Sequence, residues 1–231
     1  MVQVIQELIP RGRNNRPGYK LNAEYITIHD TANTARSANA ASHANYLKTD
    51  AAAKIPASWH FTVDDTYAYQ HLPTNEVGWH AGDGANGSGN RKSIGIEICE
   101  NAGGDRKAAE INAAKLTAQL MLSEGIPITK VVQHNHWSGK NCPHTFRTKG
   151  TWKQFIALVQ KEFDNLTNVP EDNPSDESFK DVPENHWASE SIKKAKKNGV
   201  IKGFPDGSFG LGQAVTREEL CVILDRLGML E

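Results

Sequence analysis

The chain has 231 residues, 38% hydrophobic and 23% charged, the balance of an ordinary globular protein with room for one ample core and a small second one. A formal net charge of −1 argues against a nucleic-acid partner, and no apolar run approaches the length needed to span a bilayer. The near-neutrality hides a split: residues 1–165 hold 18 basic and 15 acidic side chains, net +3, and residues 166–231 hold 8 and 12, net −4.

The opening stretch from Met1 to Pro10 has no basic n-region, no sustained apolar h-region and no small-residue cleavage site. No secretion signal is read there, so synthesis in the cytoplasm and a different route outward are expected. Tyr25 to Ile28 reads as a strand, and Ser37 to about Ala53 as an Ala-rich helix. Trp59–Val63 and Tyr67–Leu72 read as strands joined at Asp64-Asp65. Ser93–Cys99 is a strand in which Ile94, Ile96 and Ile98 alternate with Ser93, Gly95 and Glu97. Asp105–Glu124 is predicted to be a helix ending at Gly125, with Ile111, Ala114, Ala118 and Met121 on one face. Val131-Val132 forms a short strand. Thr151 and Gln154 then open a helix whose apolar face is Trp152, Phe155, Ile156, Val159 and Phe163. Interleaved strands and helices define the fold class as α/β, a mixed central sheet flanked by helices.

Residues 164–178 carry five acids, two prolines and no base, the composition of a solvated linker. The expected division is 1–163, a linker at 164–178, and a small helix–loop–helix module at 179–231. In the module Trp187–Asn198 forms a helix capped by Gly199. A second helix opens with a Thr216/Glu219 capping box, supported by a Val215–Leu220 staple, and its Leu220, Leu224 and Leu227 stripe closes at Gly228.

Three widely spaced cysteines imply no disulfide framework. Cys99 and Cys221 lie in apolar runs and read as buried core thiols, whereas Cys142 lies among Gly, Lys, Asn, Pro and His. The stretch Gln133-His-Asn-His-Trp-Ser-Gly-Lys-Asn-Cys-Pro-His144 packs three histidines and that cysteine into a polar loop after a strand, and imidazole with thiolate is the preferred ligand set of zinc. His29, at the end of an apolar strand, offers a further ligand. Spacing by itself does not choose among His134, His136 and His144.

Tyr25-Ile-Thr-Ile-His-Asp-Thr31, Trp79-His-Ala-Gly82, Ser93–Cys99 and His134–Pro143 together resemble the type 2 N-acetylmuramoyl-L-alanine amidases, the group of phage endolysins and bacterial autolysins related to peptidoglycan recognition proteins. The resemblance spans about Ile9 to Phe163. It implies one zinc ion held by His29, His134 and Cys142, with His136 and His144 left on the surface or along the substrate cleft. It implies hydrolysis of the amide between N-acetylmuramic acid and L-alanine in peptidoglycan. Glu97 would move the proton, Lys140 would stabilise the oxyanion, and Trp59, Trp79 and His80 are expected along the cleft. Some relatives carry a catalytic Tyr just before a His in the second strand. Here that position is Trp59, whose indole cannot exchange protons. Two rival readings are a non-catalytic peptidoglycan-binding protein and a structural zinc protein with a fourth protein ligand.

Phe179–Ala188, Gly199–Phe209 and Thr216-Arg-Glu-Glu219 resemble one S-layer homology motif, where such motifs bind anionic secondary wall polysaccharide. Arg217 is the expected carboxylate contact, with Trp187 and Asp181 as further wall contacts. One copy stands where three are usual, and Gly-Leu-Gly follows Phe209 in place of a Pro-containing turn. Weak self-association of the module is therefore expected. The whole reads as an endolysin acting on the wall after release, with a host autolysin as the alternative.

Overall fold

A computed structural model describes residues 2–167, 178–204, 206–227 and 229–230. The chain divides into two compact units, Met1–Thr167 and Asn168–Glu231.

In the first unit six strands form one sheet: β1 (Val4–Gln6), β2 (Tyr25–Asp30), β3 (Phe61–Val63), β4 (Ala68–Gln70), β5 (Ser93–Ile98) and β6 (Val131–Gln133), in the order β1-β4-β3-β5-β2-β6. Only the β3–β4 pair is antiparallel. Strand alternation sorts side chains onto two faces. Ile26, Ile28, Ile94, Ile96, Ile98 and Val63 form a core with Ala113, Ala114, Leu116 and Met121 of α4 (Arg106–Glu124) and Phe155 and Val159 of α7 (Trp152–Thr167). Asp105 caps α4 by accepting from the Lys107 and Ala108 amides, and Gly125 ends it in the left-handed conformation (φ 67°). The opposite face carries His29 and Glu97, which are paired in register, and Thr62, which pairs with Glu97 from the other side.

Several local expectations change. The Ala-rich helix is broken into α1 (Ala40–Leu47) and α2 (Asp50–Ala53), because Thr49 accepts from the Ala52 amide and caps a new helix. Residues 164–167, assigned to the linker, belong to α7: Gln160 donates to Asp164, and the Thr167 hydroxyl donates to the Phe163 carbonyl. The remainder of that linker up to residue 177 lies outside the described residues, as does Gly228. Strand β1 and the short helices α3 (Ser88–Lys92), α5 (Asn135–Ser138) and α6 (His144–Lys149) carry too few periodic residues to be read from sequence.

In the second unit α8 (Ser189–Lys197) supplies Ile192 to a core with Phe179 and Val182, and α9 (Arg217–Arg226) follows. Helix α8 starts two residues later than expected and leaves Trp187 91% exposed. The Thr216/Glu219 capping box is formed in both directions. Cys99 is buried, but Cys221 is exposed, because no residue of α9 is buried among the described residues.

Candidate active site

Strand β2 ends at His29 and Asp30, beside the end of β6, where the chain turns into α5 and then the Cys142 loop. That arrangement brings His29, His134 and Cys142 together, with one ligand atom from each lying within 4.8 Å of the others. His29 Nδ1 stands 3.0 Å from His134 Nδ1 and 3.8 Å from Cys142 Sγ. Tetrahedral zinc with N and S ligands sets its donors roughly 3.3 to 3.6 Å apart, close to this spacing. All three residues are buried.

The protonation pattern also suits a metal. His80 Nε2 lies 3.1 Å from the Ser93 carbonyl, which only accepts, so that nitrogen donates. Burial, with the positive potential of His60, lowers the His80 pKa to about 3, so the ring is neutral and its Nδ1 accepts. His29 Nε2, 3.0 Å away, therefore donates to it. Burial and the neighbouring histidines hold His29 well below the usual histidine range, so its Nδ1 presents a bare lone pair to the site. Burial, reinforced by Glu97, pushes the Cys142 thiol up to about 12, and an arriving cation would displace its proton. His134 Nε2 and Glu97 Oε2 are buried without a hydrogen-bond partner among the described residues. Two neutral imidazoles and a thiol so closely spaced are the N and S donors of a soft divalent cation.

Glu97 Oε1 is 3.8 Å from His29 Nδ1, on the open face of the sheet. Burial and then Asp30 raise its carboxyl well above the usual carboxylate range, with Lys140 opposing. Lys140 is exposed, and its charge acts on His29, His134, Glu97 and Cys142 alike.

Other expected site residues lie elsewhere. His80 is buried against His29, and a Cβ at Gly95 would come within 2.7 Å of its ring. Trp79 packs edge-on against Tyr19, with Arg91 stacked nearby, away from the ligands. Trp59 sits on the open face, donating from its indole nitrogen to Thr62 Oγ1 at 2.6 Å. His136 is exposed beside Tyr25 and Trp137, and His144 is paired with Asp30 and Glu100. In the second unit, the Asp181 carboxylate accepts the amides of Phe209, Gly210 and Leu211. Those three bonds hold the loop against Asp181, which stays partly exposed. Arg217 and Trp187 are exposed. Sequence reasoning missed Asp30 and Arg106; the one available signal was an acid directly after a ligand histidine.

The N-acetylmuramoyl-L-alanine amidase family matches residues 19–145, more than half of the chain, and the S-layer homology domain matches residues 178–221. The chain belongs to this amidase family. It is 54% identical over 178 residues to N-acetylmuramoyl-L-alanine amidase XlyA of Bacillus subtilis (strain 168), covering 73% of this chain and 58% of that protein. It is 52% identical to CwlH of the same organism over 68% of this chain and 60% of that protein. The chain thus spans about three-fifths of these curated relatives. The solved catalytic domain of XlyA superposes with a TM-score of 0.65 at 56% identity, covering 68% of this chain and 99% of that one.

Proposed function

We propose that the first unit is a zinc-dependent amidase that cleaves the bond between N-acetylmuramic acid and L-alanine in peptidoglycan. The observation that carries this reading is the convergence of His29, His134 and Cys142 with Glu97 beside them on one open sheet face. Three protein ligands leave a coordination position for chemistry, as a catalytic site requires. Zinc at this position would supply Lewis acidity and lower the pKa of water towards neutrality. Glu97, 3.8 Å from His29 Nδ1, takes a proton from water as the carboxylate and, now a carboxylic acid, delivers it to the departing amine of L-alanine. Lys140 adds positive potential where the scissile carbonyl gathers negative charge. Trp59, fixed through Thr62 beside Glu97, lines the path of the substrate. His80 keeps His29 in its ligating tautomer.

The second unit targets the enzyme to the wall through secondary polysaccharide, with Arg217 and Trp187 as exposed contacts. Self-association strengthens that attachment. Val215, Leu220, Val222 and Leu227 are 47–62% exposed on and at the two ends of α9, and Phe204, Phe209 and Ile223 line an apolar groove of about 400 Å³ beside it. Release into the wall at lysis, as an endolysin, accords with a solved neighbour described as a mutant endolysin from Bacillus subtilis.

Digestion of purified peptidoglycan tests the amidase reading. New free amino termini on L-alanine, abolished by chelation and restored by zinc, are expected. Binding to walls with no new amino termini would favour the non-catalytic reading.

A further inference from the structure

Cys142 and His29 are 113 residues apart, and something must hold their segments together. Strand β6 pairs with β2 only as far as Ile28↔Gln133, so the Asp30 amide, just beyond, has no strand partner there. Cys142 Sγ lies 3.8 Å from His29 Nδ1 at this point. The Asp30 carboxylate, fully buried, accepts the Thr145 amide at 2.8 Å. Thr145 lies in the first turn of α6, where an amide has no intrahelical acceptor. Asp30 thus grips the segment just after Cys142, from the position next to His29.

A buried carboxylate needs compensation. Arg106 provides it, donating to Asp30 at 2.6 Å while its other nitrogens reach Glu110 and the carbonyls of Ile98 and Cys99. Its guanidinium also lies over the Phe146 ring of α6, 5.4 Å from the centroid. Glu100 completes the clamp by accepting from the Thr145 hydroxyl. Asp30, Glu100 and His144 are close enough to suggest a second cation site. Both Asp30 oxygens are already taken, however, and the arginine charge in contact opposes a cation.

We propose that Asp30, charge-compensated by Arg106, is the positioning residue that sets the Cys142 arm against the His29 strand before metal arrives. The clamp rests on the reading of His29, His134 and Cys142 as metal ligands. Its effect is pre-organisation: the thiol is already at ligand distance when the cation binds, and no loop must be ordered at that moment.

Two electroneutral double variants of the full chain isolate the contact. Asp30→Asn with Arg106→Met keeps an acceptor for the Thr145 amide, and Asp30→Ala with Arg106→Met removes it. Zinc affinity by chelator competition and the thiolate-to-metal absorption band of the cobalt-loaded protein are the readouts. The Asn pair should stay near wild type, while the Ala pair should bind about tenfold to a hundredfold more weakly with a diminished band. Equal affinity and equal bands in two folded pairs would overturn the clamp. Should either pair not fold, hydrogen exchange in the metal-free wild type decides. A protected Thr145 amide supports the clamp, and an amide exchanging at the open-chain rate refutes it. Absence of metal binding by the wild-type protein would instead reject the ligand reading itself.

Discussion

His29 Nε2 lies 3.0 Å from His80 Nδ1, and that contact selects which His29 nitrogen faces the ligand cluster. Because His80 Nε2–H donates to the Ser93 carbonyl, the donor sequence runs from His29 through His80 to the backbone of β5. Gly95 leaves the space in which the His80 ring lies. Gly95→Ala should therefore displace a buried ring, destabilising the first unit by about 1–3 kcal/mol and weakening metal binding. Thermal melts with and without chelator measure both. An unchanged chelator-free melting temperature and unchanged affinity would mean that His80 has no such role.

Cys142→Ser removes the thiol and should lower zinc content sharply while leaving the sheet intact. His134→Ala should do the same, whereas His136→Ala, whose ring is exposed, should retain a full equivalent. Metal analysis of the purified variants, alongside far-ultraviolet circular dichroism, separates the three. Retention of a full equivalent by Cys142→Ser would remove it from the ligand set.

Glu97→Gln keeps shape and loses the carboxylate, so zinc should remain and turnover should fall on the order of a hundredfold or more. Lys140→Met should also keep its zinc and slow the chemical step, by less because that lysine is exposed. Single-turnover release of amino termini is the measurement, and a wild-type rate in Glu97→Gln would send the proton role elsewhere.

Acid should destabilise the first unit through His60. Its Nε2 donates to the Glu76 carbonyl and its Nδ1 accepts the Gly95 amide, so a second proton has no place to sit. Burial, partly opposed by the Glu76 contacts, lowers its pKa from 6.5 to about 4. The unfolded imidazole takes up a proton that the folded one refuses, so stability is complete above pH 6.5 and is lost as pH falls towards about 4. That group alone accounts for on the order of 3 kcal/mol, and His71, lowered to about 3 chiefly by burial, acts in the same direction. His60→Gln should be less stable than wild type near neutrality, with the gap narrowing as pH falls. A gap in melting temperature that is independent of pH would refute this account.

A fragment ending at Thr167 should fold, bind zinc and cleave polysaccharide-stripped peptidoglycan as the whole chain does, because the core of Ile96, Met121 and Phe155 lies wholly within the first unit. On polysaccharide-bearing walls it should sediment less. Arg217→Ala should weaken attachment, and the exposed Cys221 should cross-link between chains if the module self-associates. Equal pelleting with both wall preparations, unaffected by losing residues 168–231, would remove the targeting role.

Sequence by itself determined the α/β class and the helix of α4 with its Asp105 and Gly125 ends, because period-2 and helical patterns are local; spacing left His134, His136 and His144 open, and the fold draws His134 beside His29 and Cys142. It also determined the Thr216/Glu219 cap, whose partners are three residues apart. Tertiary structure decided the roles that depend on distant partners. His80 lies against His29 because β5 offers a glycine there and a carbonyl that accepts its Nε2–H. Asp181 also anchors a loop through three amides about thirty residues away, a role that no local pattern announces. Cys221 is exposed because a helix stripe shows which residues share a face but not what covers it. Asp30 and Arg106 left almost no trace in the sequence: they are 76 residues apart, and a buried ion pair has no periodicity, only partners that the fold brings within reach.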